Sequence, residues 1–415
     1  MPRKYKIKRH MRSAGLYKAR PHPLFIIMML LVAGALVYLG MIIYPPVYNL
    51  IMSSVNRAPP EPALSAPEPP LSAPEDDPLP DDQTPASVNR LRAVYAPPAL
   101  VSDTAAFDRF LETLPEDINS VMVDIKNRSG QVLFLSSNQN AEEWGTIVPD
   151  AIDLAALNQK LGERKLSLIA RMSAFRDDAA ARAGLENAVN YRASGTTWLD
   201  NFPDAGGRAW LNPYSAGARQ YLTGLALEAV EAGAVLVVFD DFHFPPNSLT
   251  GDAFFGHEAA GISRDKALSD FARALCDTLG EKGARAAVYM TVSAIATPVN
   301  LTLYNCPPER IAADTVLLGA LSYQFPAEGF SSEEGLNITR PLEDPAATVR
   351  QAVSFALERL GETGVIALIQ GGNEGSAHGY TAAQIRAQMD ALAALGVEEY
   401  ILYCTDHGNY ILFNA

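Results

Sequence analysis

From residue 92 onward the chain repeats one pattern, a short apolar run followed by a longer segment with helical periodicity. The apolar runs are mostly continuous rather than alternating with polar residues, which is typical of strands buried on both faces of a parallel sheet. Eight runs occur: RAVYAP (92–97), INSVMVDIK (118–126), LSLIARM (166–172), AVLVVFD (234–240), RAAVYMTVS (285–293), TVLLGALSY (315–323), VIALIQG (365–371) and YILYCT (400–405). The repetition predicts strands that alternate with helices along the whole domain.

The segments between the runs have the spacing of amphipathic helices. Six of them are AAFDRFLETL, AIDLAALNQKLGE, ARQYLTGLALEAVEAG, ALSDFARALCDTLGEKG, TVRQAVSFALERLGETG and TAAQIRAQMDALAALG. Several end in glycine, as helix C-termini often do. Eight strands alternating with helices predict a (β/α)₈ TIM barrel over residues 91–415. The alternative is a doubly wound open sheet, but no G-x-G-x-x-G pattern follows the first run.

Residues 24–44, LFIIMMLLVAGALVYLGMIIY, carry no charged side chain. Their number is close to the roughly 20 residues that a helix needs to span a bilayer core. The stretch is longer than the apolar region of a secretory signal peptide, and no A-x-A cleavage pattern follows it. The preceding tail, residues 1–23, contains eight Lys/Arg and no acidic residue. These features predict a single-pass anchor in the cell membrane, with a cytoplasmic N-terminus and an extracellular C-terminal domain.

Residues 45–90 form a predicted linker rich in proline and acidic residues. Within it, residues 57–85 read RAPPEPALSAPEPPLSAPEDDPLPDDQTP and repeat the unit LSAPE. Proline favours the extended polyproline II conformation, and the repulsion between acidic side chains favours extension further. We therefore expect an extended tether that carries no chemistry.

The formal net charge of the chain is −14, although its N-terminal tail is basic. The globular domain is therefore more acidic than the chain as a whole. Its negative charge repels phosphate groups, which makes nucleic acid a poor partner. The cysteines Cys276, Cys306 and Cys404 lie far apart without a C-x-x-C pattern, so they indicate neither a disulfide framework nor a zinc site. The sequence therefore predicts no nucleic-acid partner, no metal and no other cofactor.

Polar side chains close most of the predicted strands, at the end where barrel enzymes place their active sites. Asp124 and Lys126 end the second run on one face, because strand residues two apart point the same way. The corresponding residues elsewhere are Arg171, followed by Asp177, in the third repeat, Asp240 in the fourth, Tyr323 in the sixth, Gln370 in the seventh, and Asp406 and His407 in the eighth. The set predicts a binding cleft at the barrel mouth. For any single residue the alternative is a structural ion pair that closes the mouth.

The three tryptophans lie in segments that would face the same end of the barrel. Trp144 follows the second run, and Trp198 and Trp210 lie in the long stretch after the third. Sugar rings present C–H faces that stack on flat aromatic rings. An indole, which has an apolar ring and a polar N–H group, suits a site that is partly exposed to water. The alternative is that each tryptophan packs a long loop onto the barrel.

The motifs occur in an order that is similar to a known family. The segments are VMVDIKNRSGQV, LIARMSAFRDD, TTWLD, AWLNPYS, VVFDDFHFP and YILYCTDHGNY. Together they resemble a glycoside hydrolase-like domain family of TIM barrels, whose members read roughly V-I-D-x-K-D-x-x-G, I-A-R-x-x-x-F-x-D, W-L-D/N-P and F-D-Y-[VI]-R-F-P. The resemblance covers residues 92–413 and is densest between the second and fourth runs.

The resemblance implies a glycosidase-type barrel that acts on a carbohydrate polymer. It assigns seven positions that match the family pattern: Asp124, Lys126, Arg171, Asp177, Trp210, Pro213 and Asp240. Trp198, Tyr214 and His243 lie in the same motifs, and we predict that they contact substrate together with Tyr323 and Gln370. The chain has Asp241 and His243 where the family usually has Tyr and Arg.

The pair Asp240–Asp241 ends the fourth run, and only one of the two can face the barrel mouth. Adjacent strand residues point to opposite faces. The family pattern selects Asp240 as the barrel-mouth carboxylate and the predicted catalytic residue. Asp241 is then predicted to lie on the loop or helix side, where it would pair with His243.

Hydrolysis of a glycosidic bond normally needs two carboxylates. After the seventh run the chain reads IQGGNEGSAHGY, in which Glu374 is the acidic residue and glycines allow close approach of the backbone to a ligand. The fourth and seventh strands lie on different sides of an eight-stranded barrel, three strands apart. Glu374 is therefore the predicted second catalytic carboxylate, and a solvated loop residue is the alternative.

Two other functions remain open from the sequence. A barrel that kept the sugar cleft and lost one acid would be a non-catalytic glycan-binding or scaffold protein. The FDD of the fourth run is also similar to the metal-binding TFDDG of polysaccharide deacetylases. That chemistry needs an H-x-x-x-H pair of metal ligands, and His257 stands without such a partner.

Overall fold

The computed structural model describes residues 90–246, 251–256, 259, 261–297, 301–311, 314–373, 380–406 and 410. Within them no helix has the length and apolar character needed to cross a membrane. The predicted basic tail, membrane anchor and almost all of the predicted linker lie outside the described residues, as do Glu374, His257 and His407.

Eight parallel strands form the centre of the domain. They are β1 Arg92–Ala96, β2 Ser120–Lys126, β3 Ser167–Ser173, β4 Ala234–Asp240, β5 Arg285–Thr291, β6 Thr315–Gly319, β7 Gly364–Gln370 and β8 Tyr400–Tyr403. Each strand pairs with its neighbours in chain order, and β1 pairs with both β2 and β8. The sheet is therefore closed, and the prediction of a (β/α)₈ barrel is confirmed.

Helices pack outside the strands. They are α1 Pro98–Ser102, α2 Thr104–Glu112, α3 Gln139–Glu143, α4 Leu154–Glu163, α5 Asp178–Ala183, α6 Ala216–Glu231, α7 Arg264–Gly280, α8 Val292–Ile295, α9 Leu301–Tyr304, α10 Pro345–Leu360 and α11 Ala382–Ala394. Polar side chains cap their N-termini; Asp153 accepts from the Ala156 amide, and Thr381 forms a capping box with Gln384. All six predicted helices are present. In the described residues between β5 and β6, only short helices occur.

The barrel interior is apolar along most of its length. Side chains that point inward from the strands form one cluster, which includes Met122, Ile169, Leu236, Val238, Leu317, Ile366 and Ile401. A larger cluster fills the layer between strands and helices. Polar side chains collect only where the strands end, so the strand registers decide which of them meet. Asp124 aligns with Arg171, and Ser173 aligns with Asp240.

The sheet extends beyond the barrel next to β2. Val132–Phe134 runs antiparallel to β2, and Ile147–Ile152 pairs parallel to Val132–Phe134. This two-strand extension lies at the C-terminal end of the barrel. Two small antiparallel pairings, Asn190–Tyr191 with Ala253–Phe254 and Phe330–Ser331 with Asn337–Ile338, occur in other loops.

The sixth strand is shorter than predicted. It ends at Gly319, and Tyr323 lies in the 3₁₀ turn Ser322–Gln324 rather than at the end of a strand. The Ala320 amide makes the last hydrogen bond to the neighbouring strand, at Leu368. The apolar residues of this segment continue past the point where the backbone turns, so their pattern overestimates the strand.

Candidate functional site

The C-terminal ends of the strands surround an open cavity of about 490 Å³. Five charged residues line it: Asp124, Lys126, Arg128, Arg171 and Asp240. The tyrosines of the lining are Tyr289, Tyr323 and Tyr403, and the other described lining residues are Asn127, Ser129, Ser173, Leu321, Gln324 and Leu368. Asp124, Lys126, Arg171, Asp240 and Tyr323 were all predicted from the sequence, and the structure brings them together here.

Asp124 and Arg171 form a bidentate ion pair on adjacent strands. Arg171 Nε donates to Asp124 Oδ1 at 2.6 Å and Arg171 Nη2 donates to Oδ2 at 3.0 Å. The Tyr95 hydroxyl also donates to Oδ2, at 2.7 Å. The guanidinium lies over the rings of Tyr95 and Tyr403, at 4.8 and 5.5 Å from their centroids. Burial opposes the charge of Arg171, but the Asp124 carboxylate outweighs it and raises the pKa of the guanidinium well above its usual value.

Lys126 points to the base of the cavity and holds the loop that follows β3. Its Nζ donates to the Ser173 carbonyl at 2.6 Å and lies 2.9 Å from Asp177 Oδ2, and both side chains of this ion pair are fully buried. Asp177 also caps α5 by accepting from the Ala180 amide at 2.8 Å. Burial raises the pKa of Asp177, against the effect of Lys126. Asp177 is therefore a structural partner of Lys126, and it is not among the described residues that line the cavity.

Arg128, in the turn after β2, links Asp240 and Asp241. Its Nε donates to Asp241 Oδ2 at 3.0 Å, and its Nη2 lies 3.4 Å from both oxygens of Asp240. Ser173 Oγ donates to the same Asp241 oxygen at 2.8 Å. The predicted pairing of Asp241 with His243 is therefore wrong, because the Asp241 carboxylate bonds to Arg128 and Ser173.

The backbone at Asp241 turns sharply out of β4. Its φ is +49°, in the left-handed region, which a non-glycine residue adopts only at some cost. This conformation lets the Asp241 amide donate to Asp240 Oδ1 at 2.8 Å. The turn therefore fixes the carboxyl of Asp240 at the strand end, where 14% of its side chain is exposed to the cavity.

The carboxyl of Asp240 is suited to carry a proton. Burial raises its pKa above the ordinary value, and the nearby negative charge of Asp241 raises it further. Arg128, Arg171 and the Asp241 amide oppose this shift without cancelling it. A carboxyl group with a raised pKa at the edge of a cavity is what a general acid requires.

His243 lies behind the two aspartates in an aromatic environment. Its ring is 5.5 Å from the Trp210 ring and 5.8 Å from the Tyr304 ring. Because Nδ1 is 2.7 Å from the Phe244 carbonyl, which can only accept, Nδ1 carries a hydrogen. Burial lowers the pKa of His243, so the ring is neutral. His243 is not among the described residues that line the cavity.

The aromatic residues of the loop after β3 that were predicted to contact substrate do not line the cavity. Trp198 and Trp210 are only 4% and 2% exposed and belong to the core between strands and helices. Trp210 Nε1 donates to Asp200 Oδ2 at 3.0 Å, and the Tyr214 hydroxyl donates to the Ile262 carbonyl at 2.9 Å. The prediction that Trp198 or Trp210 forms the rim of the cleft is wrong, because the long loop buries both indoles against the barrel.

Gln370 is also placed outside the cavity lining. It is fully buried, and its Nε2 donates to the Gly372 carbonyl at 2.8 Å. Its backbone carbonyl accepts from Gln388 Nε2 at 3.0 Å, which ties the end of β7 to α11. The prediction that Gln370 opens into the cleft is wrong, because the amide folds back onto its own backbone.

Two of the three tyrosines that line the cavity, Tyr289 and Tyr403, were missed by sequence reasoning. Tyr289 on β5 and Tyr403 on β8 share a face with Ala287 and Ile401, which point into the barrel. Counting two residues onward from an inward-facing side chain would have identified both. Burial, followed by the charge of Asp240, raises the pKa of Tyr289 to about 12, so its hydroxyl keeps its proton.

Metal chemistry finds no support in the described part of the chain. No group of three or more His, Cys, Asp or Glu side chains within it could hold a metal ion. The acids at the mouth are instead paired with arginines, as Asp124 is with Arg171.

The closed barrel of eight parallel strands, with carboxyl groups and tyrosines at their C-terminal ends, is a TIM barrel. Residues 93–410 match the model of the family described as "Putative glycosyl hydrolase domain". The match spans well over half of the chain, and the chain belongs to this family. No curated protein matches the chain.

Several solved structures are similar to the chain. The PgaB (BpsB) glycoside hydrolase domain from Bordetella bronchiseptica is 16% identical, with a TM-score of 0.50 over 77% of this chain and 95% of that one. A hypothetical protein from Ruminiclostridium thermocellum is 23% identical, with a TM-score of 0.41 over 47% of this chain and 96% of that one. The α-galactosidase TtGalA from Thermus thermophilus is 13% identical, with a TM-score of 0.45 over 78% and 59%. At 16% identity, the similarity to the PgaB (BpsB) domain indicates the barrel fold alone.

Proposed function

We propose that the barrel hydrolyses glycosidic bonds of a cell-wall or extracellular polysaccharide, with Asp240 as the general acid. One observation carries the proposal: a carboxyl group whose burial and acidic neighbour raise its pKa faces a cavity of about 490 Å³. Membership of a glycosyl hydrolase-type family supports the reaction class. In the reaction, Asp240 would give its proton to the glycosidic oxygen as the bond to the sugar carbon breaks.

The second carboxylate of the proposal is Glu374. Asp124 also lines the cavity, but Arg171 and Tyr95 already donate to both of its oxygens. A carboxylate held in this way is a poor nucleophile or base, because its charge is already stabilised. In the sequence Glu374 follows β7, which is three strands from β4 around the barrel, and it would act as the nucleophile or as the base that activates water.

The tyrosines would supply the sugar-binding wall in place of the predicted tryptophans. Tyr289, Tyr323 and Tyr403 all line the cavity. Their rings can stack on the C–H faces of sugars. A polymer is a suitable substrate because the cavity is open rather than enclosed.

The proposal also covers where the protein is located in the cell. Residues 24–44 would anchor the protein in the cell membrane, and the basic residues of the tail 1–23 would keep the N-terminus in the cytoplasm. The linker 45–90 would hold the barrel away from the bilayer, within reach of extracellular polymer. A carbohydrate polymer and the membrane are then the partners, and nucleic acid is not.

A non-catalytic glycan-binding barrel is the second candidate. One observation favours it: both acids that line the cavity in the described residues, Asp124 and Asp240, contact arginines. If Arg128 keeps Asp240 ionised when a glycan is bound, the barrel would bind sugar without cleaving it.

Polysaccharide hydrolysis by the full chain in detergent distinguishes the two candidates. Fractions of cell-wall and extracellular polysaccharide would be incubated with the unchanged protein, Asp240→Asn, Glu374→Gln and Asp270→Asn, and released reducing ends would be measured. Asp270 is a partly exposed helix residue far along the chain from both acids and provides the matched control. The proposal predicts cleavage by the unchanged protein and the control, and losses of about 10²–10⁴-fold in the other two variants. Glycan binding without cleavage by the unchanged protein would establish the second candidate.

A further inference from the structure

A second, smaller cavity adjoins the first at the barrel mouth. We call it the side groove; it holds about 240 Å³. Helix α1 forms one wall, and the sheet extension beside β2 forms the other. Its apolar lining consists of Pro98, Ala99, Val101, Leu133, Val148 and Ile152. Apart from the exposed Ala99, these side chains are half-buried, so the groove is a formed feature of the surface that offers aliphatic contacts.

Asp124 lines both the main cavity and the side groove. Within the described part of the chain its Oδ2 accepts two hydrogen bonds, from Tyr95 and Arg171, whereas Oδ1 accepts one, from Arg171. A carboxylate oxygen can accept about two hydrogen bonds. Oδ1 therefore retains one acceptor position at the junction of a polar cavity and an apolar groove.

We propose that the side groove binds the N-acyl substituent of an amino sugar whose ring occupies the main cavity, and that Asp124 accepts the amide N–H. An N-acyl group places an N–H donor next to an alkyl group, which is the combination that the acceptor and the aliphatic wall would recognise. This inference rests on the proposed function, because it requires a sugar in the main cavity.

Other substituents fit less well. A hydroxyl group could donate to Asp124 as an amide N–H does, but it has no alkyl group to fill the aliphatic part of the groove. A carboxylate would meet Asp124 and Asp150, which both line the groove. A free ammonium could pair with Asp124, but it would lie beside the Arg171 guanidinium and leave the aliphatic contacts empty. The groove therefore favours a neutral acyl group.

The size of the groove sets the length of the acyl chain. A water molecule occupies about 30 Å³ of liquid. A groove of about 240 Å³ has the volume of about eight water molecules, so it accommodates the three heavy atoms of an acetyl group and leaves room for further carbons. Propionylated sugar should bind at least as well as acetylated sugar, a result that a pocket fitted closely to acetyl would not give.

Binding of defined oligosaccharides to the full chain tests the proposal. The probes are tetrasaccharides of glucosamine and galactosamine in N-acetyl, N-propionyl and free-amine forms, with the matching glucose and galactose tetramers. Isothermal titration would measure each affinity. We expect the N-acyl forms of one series to bind at least about tenfold more tightly than its amine and hydroxyl forms, the discrimination that an apolar pocket gives for a small group.

Two variants locate the preference in the groove. Val148→Phe fills the groove from the sheet extension, and Ala99→Leu does so from an exposed position on α1 that should not disturb folding. Val235→Phe, at the start of β4 and outside the groove lining, is the matched control. Val148→Phe and Ala99→Leu should each reduce the N-acyl preference and leave the affinity for the hydroxyl tetramer unchanged. The control should bind like the unchanged protein.

Three outcomes would overturn the inference. They are equal binding of the N-acyl and hydroxyl tetramers, tightest binding of the free amine, and an N-acyl preference that persists in both groove variants. In each case Asp240-dependent polysaccharide cleavage would still support the proposed function. If none of the tetramers binds, the groove has no amino-sugar ligand of either series, whereas loss of the proposed function would require that no polysaccharide is cleaved either.

Discussion

At Asp240, burial and the neighbouring Asp241 favour the protonated carboxyl, whereas Arg128 and Arg171 favour the ionised one. If Asp240 is the general acid, kcat/KM falls as pH rises through its raised pKa. Asp241→Asn removes a negative charge and releases Arg128 to pair more closely with Asp240. Both changes lower the pKa of Asp240, so the fall in kcat/KM should move to lower pH. A pH–rate profile measures this shift, and a shift to higher pH would contradict the account.

The ionised carboxylate of Asp240 should also lower the free energy of unfolding at neutral pH. A carboxyl whose folded-state pKa lies above its unfolded value binds its proton more tightly in the folded protein, so stability falls as pH rises from the unfolded pKa through the folded one. Asp240→Asn should therefore raise Tm at about pH 7, and the gain should disappear by about pH 4, near the unfolded pKa. Calorimetry at both pH values tests this, and a lower Tm for the variant at neutral pH would refute it.

Among the structural elements, β2 and α5 are joined by the buried pair Lys126–Asp177. Lys126→Met would leave the Asp177 carboxylate buried without its cation, which costs about 3–5 kcal/mol. Lys160→Met is the matched control, because Lys160 pairs with Asp108 at a more exposed position, where an ion pair contributes about 0–1 kcal/mol. Urea unfolding compares the two variants. Equal losses would show that the buried pair does not hold the loop after β3.

The turn after β2 depends on Gly130. Its φ is +86°, and a Cβ at this position would collide with the Asp177 carboxylate. Gly145, with φ +63°, has nothing within 4 Å of the corresponding position. Gly145→Ala should lower the free energy of unfolding by about 1–2 kcal/mol, from backbone strain alone. Gly130→Ala should lower it more, because the collision with Asp177 adds to the backbone strain. Urea unfolding again provides the measurement, and a smaller loss at Gly130 than at Gly145 would contradict this packing.

The whole barrel is tied together at the end opposite the cavity. Arg285 at the start of β5 donates to both oxygens of Glu399, at 2.9 and 2.7 Å, and Glu399 accepts from the Leu91 amide at 2.9 Å. Because β5 lies opposite β1 in an eight-stranded ring, these bonds cross the floor of the barrel. The floor contributes stability, and the mouth carries the strained and charged groups, as in other TIM barrels.

The barrel could be predicted because its signal is repeated and local. Eight apolar runs and the helices between them are set by short-range patterns, and Asp124, Arg171 and Asp240 reach the mouth because they close strands. Such patterns do not determine the packing of long loops. Trp198 and Trp210 lie in a loop on the mouth side, and only the folded loop shows that their indoles are buried.

Arg128 illustrates a second limit. It lies in a turn and pairs with Asp241, which is 113 residues further along the chain. No pattern near Arg128 indicates this partner, because the contact exists only once β2 and β4 lie on either side of β3. Tyr289 and Tyr403 differ, since the inward-facing alternation of their strands could have revealed them.

The central claim is that Asp240 protonates the leaving group. The most direct test compares the unchanged protein with Asp240→Asn on two substrates of the same sugar, the natural polymer and a dinitrophenyl glycoside whose leaving group needs no proton. The account predicts that the variant loses about 10²–10⁴-fold in kcat/KM on the polymer and keeps most of its rate on the dinitrophenyl glycoside. Equal losses on both substrates, or an undiminished rate on the polymer, would contradict it.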